Sequence, residues 1–221
     1  MPAENGEHGP RFPSSAPAPS AQSAPERILR HARGRFLKEG FSRIPVEELA
    51  SDLRISKRTF YRFYAGKEDL LERILENLLE EVRTGLDLIR EGDAPFAAKL
   101  SETMAFVGRL MGELGRPFLR DIQVHAPRLW ERIREFRKRR IQGHFGALIR
   151  GGMQEGWIRG DVNAEILLTA YLAAVDAVVN PEFLSQTPVT SREALEDVIT
   201  IVFHGVLTPE ARARSARPGE S

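Results

Sequence analysis

Residues 46–71 read VEELASDLRISKRTFYRFYAGKEDLL. Two short helical segments flank a tight turn at Leu53-Arg54-Ile55. Leu49, Leu53 and Ile55 supply the small apolar set needed between them. Ala50 falls where two such helices must approach closely, so a small side chain is required there. Ser56 is placed to cap the second helix with its hydroxyl. From Lys57 to Tyr64 that helix is too polar and too short to form for packing alone. Phe60 is expected to point inward, leaving Lys57, Arg58, Thr59, Tyr61 and Arg62 for solvent or DNA. A helix-turn-helix divides its residues in this way, because its second helix enters the major groove with its N-terminal residues first.

The flanks extend the helical pattern. Upstream, Ile28, Ala32 and Phe36 recur four apart beside Leu29 and Leu37, the stripe of a first helix ending near Gly40. Pro45 suits the start of the next helix, where a missing N–H leaves nothing unsatisfied. Glu47 and Glu48 then complement the positive helix end. Downstream, Leu71, Leu75, Leu78 and Val82 mark a long helix from Lys67 to about Arg90, spanning about 36 Å at ~1.5 Å per residue. After the break at Gly92-Asp93-Ala94-Pro95, helices are predicted near 96–114, 117–125, 127–151, 163–180 and 191–207. Gly- and Pro-containing loop signals separate them, Asn180-Pro181 and Thr187-Pro188 among them. No alternating pattern indicates a sheet, and there is no internal repeat. The expected fold is all-α with about nine helices.

Composition narrows the function classes. The 221 residues are near neutral, with 32 Lys/Arg against 31 Asp/Glu. Their distribution is uneven: Glu26 to Arg73 holds 12 basic and 8 acidic residues, and Ile55 to Lys67 carries four basic residues with no acid. A local basic patch of that kind suits phosphate contacts. There is no cysteine, which excludes disulfides, thiolate metal sites and a cysteine nucleophile. No apolar run reaches bilayer length, and no signal peptide is visible, so a cytoplasmic location and no membrane contact are expected. Residues 1–25 contain six prolines among small residues and are expected to form a disordered tail, as are residues 208–221.

The run Ser56-Lys57-Arg58-Thr59-Phe60-Tyr61-Arg62-Phe63-Tyr64, followed by Lys67-Glu68-Asp69-Leu70-Leu71, resembles the tetracycline-repressor (TetR/AcrR-like) family. The motif-level match covers about residues 26–75. The resemblance implies a DNA-binding domain over 26–73 and a ligand-sensing and dimerisation domain over 74–207. It implies phosphate contacts by Tyr61, Lys67 and Thr59, base contacts by Lys57 and Arg58, and a DNA contact by Phe63. Ser56 and Arg62 complete the DNA-binding set. Two positions depart from the family pattern. Arg54 stands where glycine is frequent, at a turn position whose left-handed backbone strains other residues. Pro45 replaces a frequent Thr or Ser.

The expected partners are a double-stranded operator, a second copy of the chain and an apolar small-molecule effector, and no cofactor is expected. Leu168, Leu172, Val175 and Val179 form one stripe, and Leu195, Ile199, Val202 and Val206 another. Paired with their copies they would make a four-helix dimer interface, matching a palindromic operator. Met104, Val107, Met111, Phe118, Ile122, His125 and Trp130 are the candidates for lining an effector pocket. Most such stripes are plain core. Asp176, within a mostly apolar helix, needs a wet edge, a partner across the dimer or a place in the pocket. The basic run from Arg132 to Arg140 is interleaved with acids and reads as a solvated face. The five histidines show no metal-ligand spacing, and no catalytic set is visible. An enzyme, and a DNA-binding module without a ligand, are the competing classes. A gel shift with DNA from beside the protein's own gene separates the first, and a filled helical core marks the second.

Overall fold

The computed structural model describes residues 23–206, 208 and 210. Among these there are eleven α-helices and one π-helical turn, with no β-strand. The first four are α1 (Ala24–Glu39), α2 (Val46–Asp52), α3 (Lys57–Tyr61) and α4 (Lys67–Glu91). Then come α5 (Phe96–Glu113), α6 (Arg116–His125), α7 (Pro127–Phe136), a π turn (Arg137–Ile141) and α8 (Gln142–Gln154). The chain closes with α9 (Ala164–Val178), α10 (Pro181–Gln186) and α11 (Ser191–Val206).

The local causes are legible in the caps. At α1, Ser23 and Glu26 form a reciprocal capping box, with Pro25 in the first turn. This helix and its cap therefore take in the last three residues of the segment expected to be a tail; the rest of that segment, 1–22, lies outside the described residues, as does most of 208–221. Asn163 caps α9 with a side-chain oxygen that accepts from Glu165 and Ile166. Asn180 caps α10 by accepting from the Phe183 amide at 2.9 Å, with Pro181 at the first helical position.

Three apolar clusters hold the molecule together. Ile28, Phe36, Leu49, Phe60 and Leu70 of α1–α4 pack with Phe118 and Ile122 of α6 and Leu184 of α10. The small N-terminal unit thus shares its core with the helices that follow it. Phe96, Phe145, Ile149, Tyr171, Val198 and Phe203 form a second cluster. Leu78, Val82 and Leu86 of α4 join Leu110 of α5 in a third. Helix α4 spans the first and third clusters, so it ties the N-terminal unit to the remainder of the chain.

Two features depart from the sequence expectation. The predicted helix over 127–151 is interrupted by the π turn. A π turn inserts an extra residue into the helical repeat and re-aims the side chains around it. Two of its residues, Arg137 and Ile141, are half-buried, and Arg137 is bonded to Asp176 at 2.8 Å. Asp176 itself is 72% exposed in the single chain, so it does not lie in a pocket within that chain. The second departure is α10, which was expected as loop. Counted with α7, the π turn and α8 as one rod, the helices number ten among the described residues.

The apolar stripes on α9 and α11 also face differently from the sequence reading. Leu168, Val179, Leu195, Val198 and Phe203 are buried within the single chain. Leu172, Val175, Ile199 and Val202 are half-buried against the second cluster. These stripes build the chain's own core because α9 and α11 pack on each other and on α5 and α8. The side chain of Val206 lies outside the described residues.

Candidate DNA interface

Helix α3 is held by one buried side chain. Phe60 is fully enclosed, with its ring edge-on to Tyr61 at 5.4 Å and tilted against Tyr64 at 5.9 Å. The Ser56 hydroxyl accepts the Thr59 amide at 3.0 Å and meets the Thr59 hydroxyl at 2.9 Å. That cap satisfies a helix-end donor and fixes the N-terminal turn. Lys57, Arg58 and Tyr61 then stand exposed on one helix, and Tyr61 is 52% exposed despite its size. Tyr61 and the two cations therefore share the solvent-facing surface of α3.

The side chains around that surface are positioned by specific contacts. Lys57 is ion-paired with Glu47 of α2. The pairing holds the Lys57 ammonium above its ordinary value and the Glu47 carboxyl below its own. Arg62 is exposed and lies over the Phe63 ring at 4.8 Å, a cation–π contact. Lys67 opens α4 and donates to the Ser42 carbonyl at 2.8 Å, with its ammonium 5.8 Å from the Phe41 ring centre. Helix α2 is anchored from α1: Arg35 bonds Glu48 at 2.5 Å and Asp52 at 2.8 Å, and His31 meets Asp52 at 2.9 Å. Between α2 and α3, Arg54 has φ 55°, the one non-glycine residue with a positive φ among those described. The left-handed turn expected from the sequence is therefore present, carried by an arginine.

The structure brings Ser56, Lys57, Arg58, Thr59 and Tyr61 together on α3 and the turn before it, with Arg62 and Phe63 just beyond and Lys67 at the next helix start. It does not bring the pocket candidates together. Phe118 and Ile122 are core in the first cluster, where Trp130 is half-buried. Met104 packs on the second cluster, and Val107 and Met111 on the third. His125 is exposed and lines a surface groove of about 450 Å³ between α6, α10 and the α1–α2 loop, together with Arg43, Arg120 and Asp121. A buried polar pair escaped the sequence reading: the Thr103 hydroxyl lies 2.9 Å from His144 Nε2. Burial holds the His144 imidazole below its ordinary value. Glu47 and Asp121 were missed as well. Each acts through space on a residue from a different element, and no local spacing announces that.

The basic run on α7 and the π turn is largely neutralised in place. Arg132 bonds Glu72 at 2.9 Å, Arg134 bonds Glu131 at 3.3 Å and Arg139 bonds Glu135 at 3.1 Å. Apart from half-buried Arg137, the basic residues of this run are exposed. No helix among the described residues is long and apolar enough to cross a membrane.

Comparison with known proteins agrees with this geometry. Residues 28–74 match the family model described as bacterial regulatory proteins, tetR family. The HTH-type transcriptional regulator YvaF of Bacillus subtilis (strain 168) is 24% identical over 186 residues, covering 84% of this chain and 96% of YvaF. The HTH-type transcriptional regulator TcmR of Streptomyces glaucescens is 24% identical over 191 residues, covering 72% of this chain and 84% of TcmR. Among solved structures, a TetR-family transcriptional regulator from Marinobacter aquaeolei VT8 superposes with a TM-score of 0.71 at 24% identity. That superposition spans 88% of this chain and 96% of the other, and it shows a shared fold. The ketosteroid transcriptional regulator KstR2 of Mycobacterium tuberculosis superposes with a TM-score of 0.59 at 18% identity, over 86% of this chain and 97% of KstR2. Residues 28–74 thus carry the DNA-binding domain of the tetR family of bacterial regulatory proteins, and the fold of most of the chain is the one seen in solved TetR-family regulators.

Proposed function

We propose that this transcriptional regulator binds a palindromic operator as a homodimer and represses until a small molecule binds its C-terminal region. The observation that carries the DNA half is helix α3, where Phe60 is the single buried residue and Lys57, Arg58 and Tyr61 face outward. In the proposed complex Lys57 and Arg58 reach base edges in the major groove, and Ser56, Thr59, Tyr61 and Lys67 contact phosphates. Arg62 and Phe63 flank the groove as a stacked pair. Phosphate contacts position the protein, and base contacts specify the sequence.

Residues 74–207 supply dimerisation and sensing. The dimer face is the outer side of α9, where Ile166, Ala170, Ala173 and Ala177 are exposed at helical spacing, together with exposed Ile201 of α11. Small residues let two helices approach closely, and large exposed isoleucines favour burial. The effector is an apolar small molecule held between helices of 96–180, where half-buried Met104 on the second cluster and Met111 on the third offer deformable side chains. The Thr103–His144 pair is the polar anchor beside them. The effector must prefer the state whose two recognition helices are wrongly spaced for successive grooves, since equal affinity for both states would shift nothing. The related HTH-type transcriptional repressor DhaR of Mycobacterium sp. (strain GP1), 22% identical over 184 residues, favours repression as the sign.

The test is genome-wide mapping of bound sites, followed by gel shifts on the mapped fragments. Specific retardation of a fragment with inverted half-sites is expected. Binding to every fragment alike would refute sequence-specific regulation. Compounds chosen from the neighbouring genes should release the DNA, and no release by any of them would refute the sensing role.

A further inference from the structure

We infer that Asp121, on α6, is a positioning residue for DNA binding, which sets Lys67 through the Ser42 segment of the α1–α2 loop. Two hydrogen bonds and the close approach of Gly40 carry this. The Asp121 carboxylate accepts the Ser42 amide at 2.8 Å. The Ser42 carbonyl accepts the Lys67 ammonium at 2.8 Å. Ser42 is therefore held at its nitrogen from α6 and at its oxygen from the start of α4. Gly40, at φ 87°, makes room for the carboxylate: a Cβ there would lie 2.6 Å from Asp121 Oδ2. The loop backbone is shaped around this one acid from a distant element.

The consequence follows from the donor count of an ammonium. A lysine ammonium has three N–H donors. The Ser42 carbonyl takes one from Lys67, and the Phe41 ring face lies 5.8 Å away on another side. An ammonium confined in this way presents its remaining donors in a fixed direction, so less conformational entropy is lost when a phosphate binds. Without Asp121 the Ser42 amide loses its acceptor, the loop is free to turn, and the ammonium loses its orientation. The unit that reads DNA is then tuned from a helix outside it. This inference rests on the reading of Lys67 as a phosphate contact.

The test uses the full chain and a mixed-sequence duplex, because phosphate binding does not need the operator. Four proteins are compared across a salt series: wild type, Asp121→Ala, Lys67→Ala and the double variant. Asp121→Ala should weaken duplex binding severalfold and lower the salt slope by about one contact per protomer. Lys67→Ala should do the same, and the double variant should be no worse than either single one. Asp121→Asn, which can still accept the Ser42 amide, should restore most of the affinity. If Asp121→Ala unfolds on heating well below wild type, the comparison is made with Asp121→Leu, which fills the space without accepting a hydrogen bond. Additive effects in the double variant, or full affinity in Asp121→Ala, would overturn the positioning role while leaving Lys67 as a contact. Full affinity in Lys67→Ala would overturn both, and marks failure of the contact reading itself.

Discussion

Gly115→Ala is a sharp probe of how α6 is seated on the N-terminal unit. Gly115 caps α6 and donates its amide to the Leu37 carbonyl at 2.7 Å. Its φ is −70°, so an alanine meets no backbone strain at this position. Space is the obstacle: a Cβ there would lie 2.4 Å from the Lys38 carbonyl oxygen and 3.2 Å from the Leu37 oxygen. Those are backbone atoms at the end of α1 and cannot rotate aside. Relief to ordinary contact requires α6 to move by about 1 Å, and overpacking of that kind costs about 1–3 kcal/mol. Weakening the Leu37 hydrogen bond adds about 0.5–1.5 kcal/mol. The expected loss is about 2–4 kcal/mol, read by urea denaturation as a lower midpoint with an unchanged slope. Gly112→Ala is the control, because nothing lies within 4 Å of its added Cβ and it sits near the end of α5. That variant should gain up to about 1 kcal/mol from helix propensity alone. If Gly115→Ala were as stable as Gly112→Ala, the close seating of α6 on α1 would be refuted.

Three further outcomes are expected. Arg54→Gly should stabilise the chain by up to about 1 kcal/mol, because the left-handed backbone costs an arginine about 1–2 kcal/mol and glycine gives back part of that in chain entropy; calorimetry showing a clear loss would contradict the strain. His144 has a lowered pKa in the folded chain, so the unfolded chain binds its proton first as pH falls. Stability from this group is present above the ordinary histidine value of about 6.5 and is lost below it, at up to about 1.4 kcal/mol per pH unit, and His144→Gln should remove that slope. Ile201→Glu should convert the proposed dimer to monomer in sedimentation equilibrium, since Ile201 is 72% exposed in the single chain and has no packing to lose.

Much of this architecture is legible because it is local. Phe60 inward and Ser56 as a cap follow from spacing and backbone chemistry, the left-handed turn at Arg54 follows from the family resemblance, and the structure places each of them so. The Asn180-Pro181 pair was ambiguous. The same two residues that break a helix also start one, as cap and first position, and they start α10. The π turn had no local signature, because Arg137 reaches Asp176 on a helix that follows it in the chain. The α9 and α11 stripes were legible as apolar but not as to what covers them; α5 and α8 cover them and leave the outer sides of α9 and α11 exposed. The same limit hid Glu47 beside Lys57 and Asp121 beside Ser42. Their roles come from packing between elements, which a linear pattern does not contain.

The central claim is that α3 reads bases through Lys57 and Arg58 while its neighbours grip phosphates. Selection of bound sequences from a random duplex pool, run with wild type and with Arg58→Ala, tests it most directly. Wild type should enrich an inverted repeat. Arg58→Ala should lose preference at one symmetric pair of positions, by about 1–3 kcal/mol, with the rest of the motif retained. An unchanged motif from Arg58→Ala and from Lys57→Ala alike would contradict the placement of the recognition helix.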